Sequence, residues 1–199
     1  MSIVFCSIAP HPPIVIPEVG RGRDQEVQKT QETMLELGRL LNDKDPEVLV
    51  LITPHGPVFS DAVAIYKLQR MKGDLSRFGT PEVTIEITNH PLSDMIIEEA
   101  QKKGISVVGL NEDLVNRLGL SEGLDHGAIV PLYFLKKAGV DIPVVIISMG
   151  MLPYLELYRL GTIISEAATR INCRTAVLAS SDLSHRLTRD APSGYHPDG

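Results

Sequence analysis

Short apolar runs recur along the chain, and most are followed by stretches in which apolar residues return at helical spacing. Ile3–Ala9 (IVFCSIA) is the first strand expected. In residues 24–41, Val27, Met34, Leu37, Leu40 and Leu41 predict a helix, which residues 42–45 break. Val48–Thr53 (VLVLIT) is apolar up to its final Thr and reads as a fully buried strand. Residues 63–68 and 83–88 alternate, with Glu82, Thr84, Glu86 and Thr88 polar. They predict a two-stranded excursion joined through the polar, Gly-containing stretch 71–80. Beyond Pro91 come an amphipathic helix at 92–103, a brief strand at 105–108, and an apolar helix at 127–138 ended by Gly139. A buried strand at 142–148, a long helix at 154–171 and a last strand at Thr175–Ser180 complete the pattern. This alternation predicts an α/β fold, with a mainly parallel central sheet flanked by helices and a small antiparallel strand pair inserted.

A chain of 199 residues and 21.8 kDa can bury about 70% of its unfolded surface, enough for one genuine core. With neither a low-complexity stretch nor a linker, residues 1–199 are expected to form a single domain. Lys and Arg number 19 against 25 Asp and Glu, a net charge of −6, which argues against nucleic acid as a partner. Apolar runs are strand-sized, which predicts no membrane span. The N-terminus lacks the basic region of a signal peptide, and two cysteines cannot make a disulfide framework, so the expected location is cytoplasmic. Residues 189–199 are turn-rich with no closing element, which suggests a domain lacking a C-terminal segment.

The six histidines are the most informative residues. His11 follows the first strand in Pro10-His11-Pro12-Pro13, and His55 follows Val48–Thr53 in Pro54-His55-Gly56-Pro57. His185 follows the last strand in Ser180-Ser181-Asp182-Leu183-Ser184-His185, and His126 opens a helix in Asp125-His126-Gly127. Ligands of parallel α/β sheets bind outside the carboxyl ends of the strands, so these four can face one crevice. Flanking prolines stiffen the backbone at His11 and His55, and neutral imidazoles held there suit Fe(II), Zn(II) or Cu. A single strand-end histidine more often caps a helix or bonds a loop, but four of six at equivalent edges favours a shared site. His90 is expected only to precede a helix, and His196 has no assigned role. Gly20–Gly22 is out of register for a dinucleotide fingerprint, and Ser180, Ser181 and Ser184 lack a Gly-x-Ser-x-Gly elbow. Cys6 is expected in the core, Met149 and Met151 to pack, and the acidic residues of 94–99 to form a solvated helix face. Tyr133, Phe134, Phe59 and Tyr154 are the aromatics available to stack on a ring.

With these motifs in view, the chain resembles the B-subunit family of class III extradiol ring-cleavage dioxygenases. It is most similar to the AmmeMemoRadiSam-associated branch, related to the Memo proteins. Pro10-His11-Pro12-Pro13, Pro54-His55-Gly56, Asp182-Leu183-Ser184-His185 and the specific Leu124-Asp125-His126-Gly127-Ala128-Ile129-Val130-Pro131-Leu132 carry the likeness. The resemblance implies a non-haem Fe(II) site, with Zn or Cu as other options, acting on a small aromatic diol and O₂. It implies His11 and His55 as metal ligands and His185 as acid/base. His126 would hydrogen-bond substrate or the oxygen intermediate, and Asp182 would orient the site. It also implies a homo-oligomer and a protein partner from the AmmeMemoRadiSam system. The family draws a carboxylate ligand from beyond the last His motif, and the Memo-like branch a late Cys. The fourteen residues after His185 hold neither Glu nor Cys, so the third ligand is open, with Asp182 one choice. The alternative is a Memo-like metal- or protein-binding module without ring cleavage, and a zinc hydrolase is a third reading. Because strand-end side chains are seldom core, replacing these histidines is expected to change stability little.

Overall fold

The computed structural model describes residues 2–23 and 27–198. Its elements are β1 (Ile3–Ala9), α1 (Pro17–Gly20), α2 (Gln28–Asn42), β2 (Val48–Thr53), β3 (Val63–Tyr66), β4 (Arg70–Leu75) and β5 (Thr80–Thr88). They continue as α3 (Leu92–Lys102), β6 (Val107–Leu110), α4 (Glu112–Leu118), α5 (His126–Lys137), β7 (Val144–Ser148), α6 (Tyr154–Arg170) and β8 (Thr175–Ser180). The start expected for the first helix, at Asp24, lies outside the described residues.

Six strands form the central sheet in the order β1-β8-β2-β7-β3-β6. The first four are mutually parallel; β3 meets β7 antiparallel and pairs with β6 in parallel. The reversal follows from connectivity, because β2 reaches β3 through a helix-free loop whereas parallel neighbours need a crossover. Side chains of the central strands alternate between two cores, as the two-residue period requires. Leu49, Leu51, Val144, Ile146, Ala176 and Leu178 face α5 and the β4–β5 pair. Val48, Val50, Val145 and Ile147 face α3 and α6. Nothing polar need face water on such strands, which is why VLVLIT carries no alternation.

The antiparallel pair differs in membership from the sequence expectation. β5 pairs with β4, and residues 63–66 enter the central sheet instead. All four residues of β3 are buried, as the interior of a large sheet demands, whereas β4 alternates exposed and buried like its partner. Cys6 is exposed rather than in the core: it shares a face of the edge strand β1 with Ile8, itself 71% exposed, so that face is left uncovered at the sheet edge. Met149 and Met151 do not pack. They lie beyond the end of β7 and are 37% and 62% exposed. Among the described residues, no helix is long and apolar enough to cross a membrane.

α5 carries the weight of one core, with Gly127 through Leu135 buried without a break. Its entry is fixed by β4: Leu124 N donates to Lys72 O at 3.2 Å, and a Cβ on Gly73 would stand 2.5 Å from Leu124 O. Gly73→Ala is therefore expected to destabilise the fold by about 1–3 kcal/mol. The backbone clash outweighs the roughly 0.5–1 kcal/mol that alanine gains inside a strand. Urea unfolding of the two proteins measures the difference, and an equal or higher midpoint for the variant would contradict this packing.

Candidate metal centre

The site is built from one row of residues at the carboxyl ends of four neighbouring strands. Ala9 pairs with Ser180, Ile52 with Ala179, and Thr53 with Ser148, so Ala9, Ser180, Thr53 and Ser148 cross the sheet side by side. Two residues further along β1, β8 and β2 stand His11, Asp182 and His55. α5 lies over the row and presents His126 in its first turn. Asp125 caps that helix, with Oδ1 accepting from Ala128 N at 3.1 Å and from Thr53 Oγ1 at 2.7 Å. Thr53 Oγ1 in turn accepts from His55 N at 3.3 Å. One carboxylate thus ties the end of β2, the backbone of His55 and the start of α5 together. The packing leaves no spare room: a Cβ on Gly127 would meet Thr53 Oγ1 at 2.7 Å and His55 Cδ2 at 3.1 Å.

His11, His55 and His126 each place a ring nitrogen within 4.8 Å of the others. His11 Nε2 and His55 Nε2 are 2.9 Å apart. Two nitrogens held about 2.1 Å from one metal ion at right angles would be separated by about 3.0 Å, so this pair fits a chelate. His11 is buried, His126 half-buried and His55 open to solvent. Burial, opposed by Asp182, holds the pKa of His11 below its ordinary value of 6.5. Burial and then the neighbouring His55 do the same for His126. Neutral rings are the form a cation requires.

Asp182 stands beside His11, with a carboxylate oxygen near the same Nε2 that faces His55. Its Oδ2 is 3.4 Å from His11 Nε2 and 3.0 Å from His185 Nε2, and its Oδ1 accepts from His11 N at 3.5 Å. His185 is exposed and lines an apolar cleft of about 500 Å³ with Ile8, Pro10, Pro12 and Leu183. His55 and His126 instead line a separate cleft of about 680 Å³, walled by Tyr66, Lys72, Arg77, Phe78 and Leu124. Burial, then Asp125, pushes the Tyr66 phenol up to about 12. The ring beside the histidines is Phe78, 5.4 Å from His126 between centroids. Tyr133 and Phe134 are committed to the core, and Tyr154 is 92% exposed. Phe78 gave no sequence signal because it sits in the β4–β5 turn, far along the chain from the histidines of the site. Thr53, Asp125 and Ser180 were also missed as functional residues, although each adjoins a histidine motif.

A family model described as the catalytic LigB subunit of aromatic ring-opening dioxygenase matches residues 5–198. The chain belongs to this family. It is 36% identical over 200 residues to protein CA_C1420 of Clostridium acetobutylicum, covering 100% of this chain and 43% of that relative. The chain thus spans less than half the length of the curated relative it matches. A futalosine hydrolase mutant of Helicobacter pylori is similar at a TM-score of 0.36 and 13% identity, over 85% of this chain and 98% of that one. That likeness is too slight to say anything of this LigB chain.

His11 is only 3% exposed, so replacing it disturbs packing, contrary to the sequence expectation for strand-end residues. The buried histidines also make stability depend on pH. His11, His126 and the remote His90, all lowered chiefly by burial, bind fewer protons in the folded state than in the unfolded chain. Their contribution is complete above the unfolded value of 6.5 and is lost as pH falls. Metal-free protein is therefore expected to lose unfolding free energy between about pH 7.5 and about pH 5.5. Denaturant titrations across that range check it, and stability that holds or rises on acidification would contradict it.

Proposed function

We propose that the chain is the metal-binding catalytic unit of a non-haem Fe(II)-dependent extradiol dioxygenase that opens catecholic rings. The observation that carries this reading is the convergence of the strand-end His11 and His55 with His126 of the α5 first turn, in a chain of the ring-opening dioxygenase family. In this reading His11 and His55 hold the ion through Nε2. When bound, Fe(II) supplies Lewis acidity that lowers the diol pKa, together with open positions for diol and O₂.

The protein's own groups do the rest. The 680 Å³ cleft admits the aromatic ring, and Phe78 flanks it on the side of His126. His126, neutral near pH 7, accepts a hydrogen bond or a proton from a diol oxygen placed over His55. His185 opens to the other cleft and is hydrogen-bonded to Asp182, so in this reading it moves a proton by way of Asp182, whose carboxylate also accepts from the His11 backbone N–H.

Among the described residues the convergent donor group contains three imidazoles and no carboxylate. That favours a second reading, a Memo-like metal- or protein-binding module without ring cleavage, because an all-imidazole set also suits zinc.

Anaerobic Fe(II) titration separates the assignments. His11→Ala and His55→Ala are each expected to weaken binding at least 100-fold. His126→Ala and His185→Ala are expected to keep binding and lose turnover on a catechol panel under O₂. Stoichiometric metal retained in His55→Ala would reject the ligand assignment. Wild-type protein that binds Fe(II) tightly yet opens no diol would favour the second reading.

A further inference from the structure

We propose that Ser180 is a positioning residue that fixes the tautomer of His11, aiming the lone pair of Nε2 into the metal site. This rests on reading His11 as a metal ligand. Ser180 closes β8 and is buried beneath α5, with its Oγ 2.9 Å from His11 Nδ1 and 2.5 Å from the carbonyl oxygen of Gly127.

A hydroxyl has one proton, and the Gly127 carbonyl can only accept, so Ser180 donates there. Gly127 O is open to that donor for a reason written four residues on. In a helix this carbonyl would accept from the N–H of residue 131, and Pro131 has none. With the Ser180 proton committed, Oγ offers His11 a lone pair. Nδ1 must then carry the imidazole hydrogen, since an unprotonated Nδ1 would set two lone pairs against each other in a buried site. The remaining nitrogen, Nε2, is left as a bare acceptor facing His55 Nε2 at 2.9 Å. The competing acceptor on that side, Asp182 Oδ2, is 3.4 Å away, too long to hold the hydrogen on Nε2 against a 2.9 Å bond.

Pro131, Gly127, Ser180 and His11 therefore form a chain of single-valued choices ending at a metal ligand. Outer partners of this kind orient ligating histidines in metal sites generally. Pro131 and Gly127 both belong to the 124–132 motif, so one stretch supplies His126 directly and orients His11 through Ser180.

The test is two-bond ¹H–¹⁵N correlation on metal-free protein carrying ¹⁵N-histidine, held at about pH 8, where the rings are neutral. The His11 signals are assigned by their loss in His11→Gln. The expected wild-type result is the Nδ1–H tautomer. Ser180→Ala is expected to move His11 toward the Nε2–H form and to raise the Zn(II) dissociation constant about 10- to 100-fold. Pro131→Ala, which gives Gly127 O a backbone donor, is expected to shift the tautomer in the same direction. An Nε2–H wild type, or a Ser180→Ala tautomer identical to wild type, overturns the proposal. An unchanged tautomer in Pro131→Ala removes Pro131 from the chain. Wild-type protein with the Nδ1–H tautomer that binds no metal would overturn the metal reading while upholding the role of Ser180 in setting the ring.

Discussion

In the central sheet β1, β8 and β2 run parallel and in register, so Ala9, Ser180 and Thr53 lie side by side where the strands end. Residues at the same offset beyond a common row are neighbours in space. His11, Asp182 and His55 share that offset, and none of the three loops needs a special conformation to bring them together. The hydrogen-bond ladder that fixes the register therefore also fixes the spacing of the donor atoms. A slip of one residue on any of the three strands would turn its side chain to the opposite face.

α5 closes this arrangement from above. Its run of buried residues anchors the helix in the core, and the Asp125 cap fastens its first turn to Thr53. His126 is held at the site by the burial of residues that take no part in the chemistry. The cap is worth about 0.5–2 kcal/mol by itself, small beside the burial, so Asp125 sets position more than stability. The cost of the arrangement falls on the histidines, which give up part of their proton affinity to stand buried and close together.

Most of the fold was legible because the central strands are mostly apolar runs, with Ser or Thr only at their ends, and because α2, α3 and α6 carry clear periodicity. The strand pair was misassigned where Arg70–Leu75 offers only Met71 and Leu75 as apolar residues, so its alternation is hidden among charges and a glycine. α4 went unread although Asn111 caps it, Glu112 and Asp113 open it, and Gly119 ends it at φ 63. Seven residues with one buried side chain give too short a pattern to see without those end signals. At the site, the histidines were legible from their strand-end positions. Which of them share a space was not, since the strand order that places β8 between β1 and β2 is a long-range property. The separation of His185 from the cleft of His55 and His126 is of the same kind.

On the proposed function, two strand-end imidazoles, brought together by register, hold one metal ion. The most direct measurement is a crystal structure of the chain loaded anaerobically with Fe(II), with the ion located by its anomalous scattering. The account predicts one ion about 2.0–2.2 Å from both His11 Nε2 and His55 Nε2, within the range of imidazole–metal bonds. An ion bound elsewhere, or one coordinated by His11 through Nδ1, would contradict it.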